Sequence, residues 1–144
     1  SALIAWSVDQ DSNYTPMSDP LVIEAPIGRV AGLKGDQWRA RLNRDRALEL
    51  RDERDARTSL YLLALTPDTL LIEARPHTGR THQIRAHLNA LEAPLLGDVL
   101  YRGQPAPRLM LHARHLRLPH PHTQDLINLY APLPHSWRVV GETR

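Results

Sequence analysis

One segment of this 144-residue chain has the apolar periodicity of an amphipathic helix. Ile84, Leu88 and Leu91 recur at i, i+4 and i+7, which places them on one face of a helix over about Thr81–Leu91. Pro94 follows this segment and is expected to end the helix. With a single clear helix, a chain of this length has to build most of its core from strands, so this feature limits the fold more than any other.

The other apolar runs are short and are bounded by proline or turn residues, which is typical of β-strands. Two of them, 59–65 and 70–75, flank the turn sequence Thr-Pro-Asp and predict a β-hairpin. Further short strands are expected near 3–8, within 21–28 where Pro26 and Gly28 interrupt it, from about 109 to Pro119, and within 126–134. The pattern predicts an α+β domain with a mainly antiparallel mixed sheet and few helices.

Length and composition are those of a globular domain. The chain is 42% apolar and 24% charged, and its 144 residues suit a single domain. Its apolar runs stay far below the roughly 18 residues that predict a membrane span. The absence of cysteine excludes disulfides and thiolate metal sites. Since no secretory pattern follows Ser1, we expect a cytoplasmic protein with no membrane partner.

The stretch 29–57 is dense in charges of both signs. It is expected to be either a solvated surface segment or a flexible arm that contacts nucleic acid. All but one of the 18 basic side chains are arginine, the exception being Lys34. Arginine has a planar, forked donor that suits phosphates and stacks on bases, although the codon usage of a GC-rich genome would produce the same excess.

Three arginines and three histidines crowd the segment Arg75–Leu88, where the helix begins. His82 and His87 are five residues apart, so they lie about 140° apart around a helix and cannot hold one metal ion together. The remaining pairs are His112 with His115, which face opposite sides of a strand, and His120 with His122, which have only Asp125 nearby. Structural roles for the histidines are therefore favoured over a metal site.

The start of the helix is compatible with an anion site. Thr78 and Gly79 form a turn, and the free N–H groups that follow, with Arg80 beside them, could hold a phosphate or carboxylate. Arg85 lies one turn after Thr81 and could reach into a cleft, where burial would require an acidic partner. The alternative is that both arginines only solvate the outer face of the helix. Neither the Gly-x-Ser-x-Gly motif of hydrolases nor a phosphate-binding loop is present.

The segment around this turn resembles a signature of the RluA-type family of pseudouridine synthases. That signature runs Thr-Gly-Arg-Thr-His-Gln-Ile/Leu-Arg-x-His, followed by an apolar helix and then Pro-x-x-Gly-Asp-x-x-Tyr. The matching residues are Thr78, Gly79, Arg80, Thr81, His82, Gln83, Ile84, Arg85, His87, Pro94, Gly97, Asp98 and Tyr101. Such a long ordered match is highly specific.

The resemblance continues on both sides of the signature. The stretch "APIGR" at 25–29 is similar to a Pro-Ile-Gly-Arg segment of the family, and "LMLHARHLRLPHP" and "APLPHSW" resemble its later strands. The catalytic motif His-Arg-Leu-Asp, which precedes these segments in the family, does not occur here, nor does the tyrosine of its Lys-x-Tyr-x-Ala strand. The resemblance therefore implies that 1–144 are a single unit, the C-terminal part of a catalytic domain whose nucleophilic aspartate lies outside this sequence.

By resemblance, Arg85 is the arginine that pairs with the catalytic aspartate. A forked guanidinium would keep that buried carboxylate ionised and oriented. Arg80, Thr81 and His82 are expected to line the same cleft and to contact RNA. Arg29 and Arg102 are expected to bind phosphates, and the cluster 39–46 is a weaker candidate based on charge alone.

The function implied by the resemblance is isomerisation of uridine to pseudouridine in ribosomal or transfer RNA, with no cofactor and no metal. The target nucleotide would have to be flipped out of its stack, at a cost of roughly a few kcal/mol. Two alternatives remain open because the aspartate is absent from the sequence. One is a remnant that binds RNA without catalysis, and the other is a plain structural domain.

Overall fold

The computed structural model describes residues 16–30, 37–134 and Trp137, together with the backbone of 2–7. The elements in chain order are β1 (Ala2–Ser7), β2 (Leu21–Glu24), β3 (Ile27–Val30), β4 (Trp38–Ala40), a 3-10 turn (Asn43–Asp45), β5 (Leu50–Arg54), β6 (Arg57–Leu65), β7 (Thr69–Pro76), α1 (Gln83–Ala90), β8 (Leu111–Ala113), β9 (His115–Pro119) and β10 (Leu126–Tyr130).

The largest sheet has five strands in the order β2-β6-β7-β1-β8. β6 is antiparallel to both of its neighbours, whereas β1 is parallel to β7 and to β8. β4, β3 and β5 form a second, antiparallel sheet, and β9 and β10 form a third. The predicted α+β class with a mainly antiparallel mixed sheet is confirmed, and so is the predicted hairpin, which is β6–β7.

Two predicted strands are each divided in the structure. Within 21–28 the chain leaves the large sheet after β2 and enters the small sheet with β3. Pro26 marks that change, but Gly28 lies inside β3 and does not interrupt it. A Cβ atom on Gly28 would lie 2.7 Å from the carbonyl oxygen of Arg51, so the close approach of β5 requires glycine. The strand predicted to end at Pro119 is likewise two strands, β8 and β9, with a break at Arg114.

The charge-dense stretch is a surface sheet rather than a flexible arm, as far as 37–57 shows. Four of its arginines pair with acidic side chains that are near in space and far apart in sequence. The pairs are Arg29–Asp52, Arg41–Glu53, Arg44–Glu92 and Arg57–Glu24. Exposed pairs of this kind contribute only about 0–1 kcal/mol each to stability. Lys34 lies outside the described residues.

Helix α1 is shorter than predicted and packs on the core through the expected face. It begins at Gln83, because His82 has a φ of 53°, a left-handed conformation that cannot extend a helix. Leu88 is fully buried, and Ile84 and Leu91 are partly buried against the same cluster. This core includes residues of β2, β3, β4, β6 and β7, so α1 holds the two larger sheets together at the segment that carries the signature.

A second, smaller core lies on the opposite face of the large sheet, since Leu71 and Ile72 are neighbours in β7 and belong to different cores. It contains Leu63, Leu71, Met110 and Trp137. Among the described residues, no helix is long and apolar enough to span a membrane.

Candidate active site

Gln83 fixes the turn that precedes α1. Its side-chain oxygen accepts hydrogen bonds from the hydroxyl of Thr78 at 2.7 Å and from the backbone N–H of Arg80 at 3.0 Å. Its side-chain nitrogen donates to the carbonyl of Arg57 and to the hydroxyl of Thr58, both at 2.9 Å. The amide therefore uses its full set of two donors and two acceptors, which ties the turn to the start of β6.

His87 continues this chain of hydrogen bonds into the core. The carbonyl of Ala25 can only accept, so Nε2 of His87 carries a proton and donates to it at 3.0 Å. In the neutral imidazole Nδ1 is then an acceptor, and the hydroxyl of Thr58, which itself accepts from Gln83, donates its proton to Nδ1 at 2.8 Å. Since the histidine is fully buried, it is a structural residue and not a metal ligand or an RNA contact.

Replacing Thr58 with valine is expected to lower the free energy of unfolding by about 1–3 kcal/mol, because it leaves a buried donor and a buried acceptor without partners. Chemical denaturation measures this change. The matched control is Thr81→Val, which removes the same hydroxyl from an exposed position and should cost little. Equal effects of the two substitutions would contradict the assigned network.

Burial lowers the pKa of His87 from its ordinary value of 6.5. The unfolded chain therefore binds a proton at a higher pH than the folded chain does, and stability falls as the pH drops below about 6.5. Denaturation midpoints measured between pH 7 and pH 5 should decrease for the native sequence. A His87→Gln variant, which has no titrating group there, is expected to have a flatter profile, and an equally steep one would refute the prediction.

The side chain of Arg85 points away from that of His87. It forms a bidentate ion pair with Asp98. Nε and Nη2 of the guanidinium each donate to one carboxylate oxygen at 2.8 Å. The side chain of Asp98 is completely buried, whereas that of Arg85 retains 18% exposure. These hydrogen bonds raise the pKa of Arg85 above its ordinary value. The pair thus fixes the guanidinium of Arg85, which lines a surface cavity.

The loop that carries Asp98 is built to hold this carboxylate. Gly97 has a φ of 71°, and a Cβ there would lie 1.9 Å from the carbonyl oxygen of Arg108, so only glycine fits. The backbone N–H of Tyr101 donates to Asp98, and that of Gly103 donates to the carbonyl of Asp98 at 2.8 Å. The Gly-Asp-x-x-Tyr part of the signature therefore positions Asp98, the partner of Arg85.

Tyr101 closes one wall of this arrangement. It is nearly fully buried, and its hydroxyl donates to the carbonyl of Trp38 at 2.5 Å. The guanidinium of Arg85 lies 5.1 Å from the centre of its ring. Burial raises the pKa of Tyr101 to about 12, so the phenol stays protonated at neutral pH.

His82 lies between the turn that precedes α1 and the ring of Tyr101. Its ring meets the Tyr101 ring edge-on at 6.0 Å, with Nδ1 3.4 Å from the hydroxyl oxygen. Because Tyr101 gives its proton to Trp38, this contact requires the proton of His82 to be on Nδ1. Partial burial, and then the charge of Arg85, lower the pKa of His82 below 6.5, which favours the neutral ring.

Most of the predicted site residues line two adjoining cavities. The arginine cavity, of about 370 Å³, is lined by Ile27, Arg29, Trp38, Asp52, Arg54, Gly79, Arg80 and Thr81. The Arg85 cavity, of about 380 Å³, is lined by Pro76, Thr78, Gly79, Arg80, His82, Gln83, Ile84, Arg85, Leu109 and Leu111. Gly79 and Arg80 belong to both, so the turn is the shared wall.

Five of the six predicted site residues therefore lie on one continuous surface. The exception is Arg102, which is exposed, has a φ of 58° and lines neither cavity. Its role in phosphate binding stays a prediction. In the cluster 39–46, Arg41 and Arg44 are held in ion pairs, which leaves them less free to bind a phosphate.

The residues that the sequence reasoning missed as site residues are Asp98, Tyr101, Gln83 and Trp38. The first three belong to the quoted signature, which was a sufficient signal that they act together, although their contacts could not be foreseen. Trp38 had no such signal. Among the described residues, no group of three or more histidine, aspartate or glutamate side chains is arranged to hold a metal ion.

Comparison with known families shows what this chain is similar to. Residues 9–90 match the RNA pseudouridylate synthase family. An uncharacterized RNA pseudouridine synthase of Chloroflexus aurantiacus is 39% identical over 122 residues, which are 82% of this chain and 35% of that protein. Ribosomal large subunit pseudouridine synthase D of Nitrosomonas europaea is 35% identical over 124 residues, covering 78% and 33%.

A third relative is tRNA pseudouridine synthase C of Vibrio vulnificus, 39% identical over 82 residues, with 50% of this chain and 34% of the relative covered. The chain thus spans about a third of the length of these curated relatives. Among solved structures, human RNA pseudouridylate synthase domain containing 1 superposes with a TM-score of 0.65 and 25% identity, covering 84% of this chain and 51% of that one.

Proposed function

Because the chain belongs to the RNA pseudouridylate synthase family, and to its RluA type, we propose that the whole protein isomerises uridine to pseudouridine in RNA. The observation that carries the proposal is the Arg85–Asp98 pair, whose guanidinium lines a cavity that His82 and Arg80 also line. Relatives named for ribosomal and for transfer RNA support these two substrate classes. We propose the cytoplasm as the place of action.

In the proposed active site, Arg85 binds two carboxylates. Asp98 takes two of the five N–H donors of the guanidinium, which leaves three for a second acid. That acid would be the nucleophilic aspartate of the family motif, which is not among these 144 residues. Asp98, itself fully buried, is then the positioning residue, and the second carboxylate is held ionised by the same guanidinium.

In the proposed reaction the aspartate forms a bond to C1′ of the nucleoside as the bond between C1′ and N1 breaks. The freed base rotates within the cavity, and C5 bonds to C1′ as the bond between C1′ and the aspartate breaks and releases the carboxylate. The hydrogen on C5 is then lost as a proton while N1 gains one. Atoms and electrons balance without an oxidant or a reductant. The uridine reaches the cavity after it has been flipped out of its stack, which costs roughly a few kcal/mol.

We further propose that these residues are the C-terminal part of the catalytic domain. They span about a third of the relatives' length, and the family motif that carries the nucleophilic aspartate is not among them. The five-stranded sheet would then receive the motif strand from the remainder of the polypeptide. On this proposal, 1–144 alone binds RNA but lacks the nucleophile. The rival reading is a non-catalytic RNA-binding remnant, which would bind RNA in a salt-sensitive way and never isomerise it.

The test is release of tritium from RNA labelled at C5 of uridine, since that hydrogen leaves in the reaction. The full-length gene product is incubated with unmodified ribosomal RNA and, separately, with unmodified transfer RNA. Release from either supports the proposal and names the substrate class. Salt-sensitive binding with no release from either RNA would overturn it in favour of the remnant.

A further inference from the structure

The arginine cavity has features for which the isomerisation itself has no use. Its volume of about 370 Å³ falls in the usual range for small-ligand sites, about 300–1,000 Å³. The β3–β5 sheet supplies one wall, with Trp38, Arg54 and Asp52. The turn before α1 supplies the other wall with Arg80, and because Arg80 also lines the Arg85 cavity, the two spaces are neighbours.

The charge in this cavity is available for a ligand. On the surrounding surface, Arg41 and Arg57 are neutralised by glutamates. Within the described part of the chain, no carboxylate pairs with Arg54 or Arg80, and Arg80 spends one N–H on the carbonyl of Asp55 at 2.8 Å. Arg29 is held by Asp52. Two guanidinium groups on opposite walls therefore remain to bind a phosphate.

Trp38 gives the cavity a fixed aromatic wall. It is partly buried, packs against the main core and pairs with Arg29 across β3–β4. Its carbonyl receives the hydroxyl of Tyr101 at 2.5 Å, so the backbone that carries the ring is tied to the loop of Asp98. An aromatic ring beside arginines is the arrangement that proteins use to hold an unstacked nucleotide, by stacking on the base and pairing with the phosphate.

Resting on the proposed function, we infer that the arginine cavity binds the nucleotide next to the target uridine. The base of this neighbour stacks on Trp38, and its phosphate is held by Arg54 and Arg80. Asp52, whose charge is compensated by Arg29, also lines the cavity and offers an acceptor to an N–H group on the base edge. The site thus takes a base together with a phosphate, and not a phosphate alone.

Binding of two probes to the full-length protein tests this inference. One is an eight-nucleotide oligouridylate, and the other is an abasic oligonucleotide of the same length and charge. The native protein should prefer the oligouridylate. Trp38→Ala should lose roughly a tenfold or greater part of that preference, whereas Trp38→Phe, which keeps a stacking ring, should retain most of it. Unchanged preference in Trp38→Ala would overturn the stacking assignment.

Arg54→Gln separates the phosphate contact from the stacking contact. It should weaken binding of both probes equally and reduce the slope of log K against log salt by about 0.7, the value for one phosphate contact on a single strand. The control is Arg51→Gln, which makes the same charge change on the same strand outside the cavity. Equal slopes for Arg54→Gln and Arg51→Gln would overturn the phosphate assignment.

Tritium release by the same variants distinguishes a failure of the inference from a failure of the proposed function. If the native protein releases tritium while the binding of both probes is insensitive to Trp38→Ala and to Arg54→Gln, the inference fails and the function stands. If the native protein neither binds nor isomerises RNA, the proposed function fails and the inference fails with it.

Discussion

Replacing Arg85 with alanine in the full-length protein is expected to lower turnover by about a hundred- to a thousandfold, the usual cost of removing one fixed charge partner from an active site. The physical reason is that the nucleophilic aspartate of the proposed mechanism would lose its cationic partner. RNA affinity should change little, because the guanidinium is mostly buried and occupied by Asp98 rather than exposed to phosphates. Tritium release and RNA binding, measured side by side, check both parts.

Two further variants make this result interpretable. Arg85→Lys keeps a positive charge near Asp98 but cannot hold two carboxylates with a planar fork, so its turnover should also be strongly reduced while its fold is retained. Arg51→Ala removes an exposed arginine that lines neither cavity and should leave turnover unchanged. Full activity of Arg85→Ala would remove this residue from the proposed mechanism.

Asp98→Ala is expected to lower the free energy of unfolding by about 3–5 kcal/mol, because it leaves the largely buried guanidinium of Arg85 without its carboxylate. The backbone N–H of Tyr101 would lose an acceptor as well. Chemical denaturation of the protein measures this loss of stability.

Asp68→Ala is the matched control, since Asp68 is exposed in the β6–β7 turn and forms no ion pair among the described residues. Its cost should stay within about 0.5 kcal/mol. Asp98→Asn should fall between the two variants, because the amide oxygen can still accept from Tyr101 while the ionic attraction is lost. Similar stabilities for Asp98→Ala and Asp68→Ala would show that the buried pair has little net effect on stability.

The segment Arg75–Leu88 illustrates how much of the site could be predicted from the sequence. Its residues predicted the start of a helix, which is present from Gln83, and a cleft lined by arginines, and Arg80 and Arg85 do line one cavity. The arguments from histidine spacing also separated His82 from His87, which face the cavity and the core respectively. What the spacing did not indicate is that Thr78, Gln83 and His87 form one chain of hydrogen bonds, since their partners in β6 lie about 20 to 30 residues away in sequence.

The acidic partner of Arg85 could not be identified from the neighbouring sequence, for the same reason. Burial of a guanidinium implies an acid, and the resemblance supplied a candidate that is not in these residues. Asp98 fills the position in this structure, thirteen residues further along the chain, because Gly97 allows a turn that brings it under the helix. Likewise, charge density in 29–57 could not separate arginines that pair with acids from Arg54, which lines the cavity.

By itself the sequence determined the family, the α+β class, the hairpin and the helix, since these depend on ordered motifs and on periodicity over neighbouring residues. The tertiary structure decided which polar residues of the signature are buried supports and which face the cavities. It also decided which of the described arginines have no acidic partner among the described residues, and that Trp38 lies beside two of them. These properties depend on contacts between segments that are distant in the chain, and such contacts exist only once the sheets and the helix have packed.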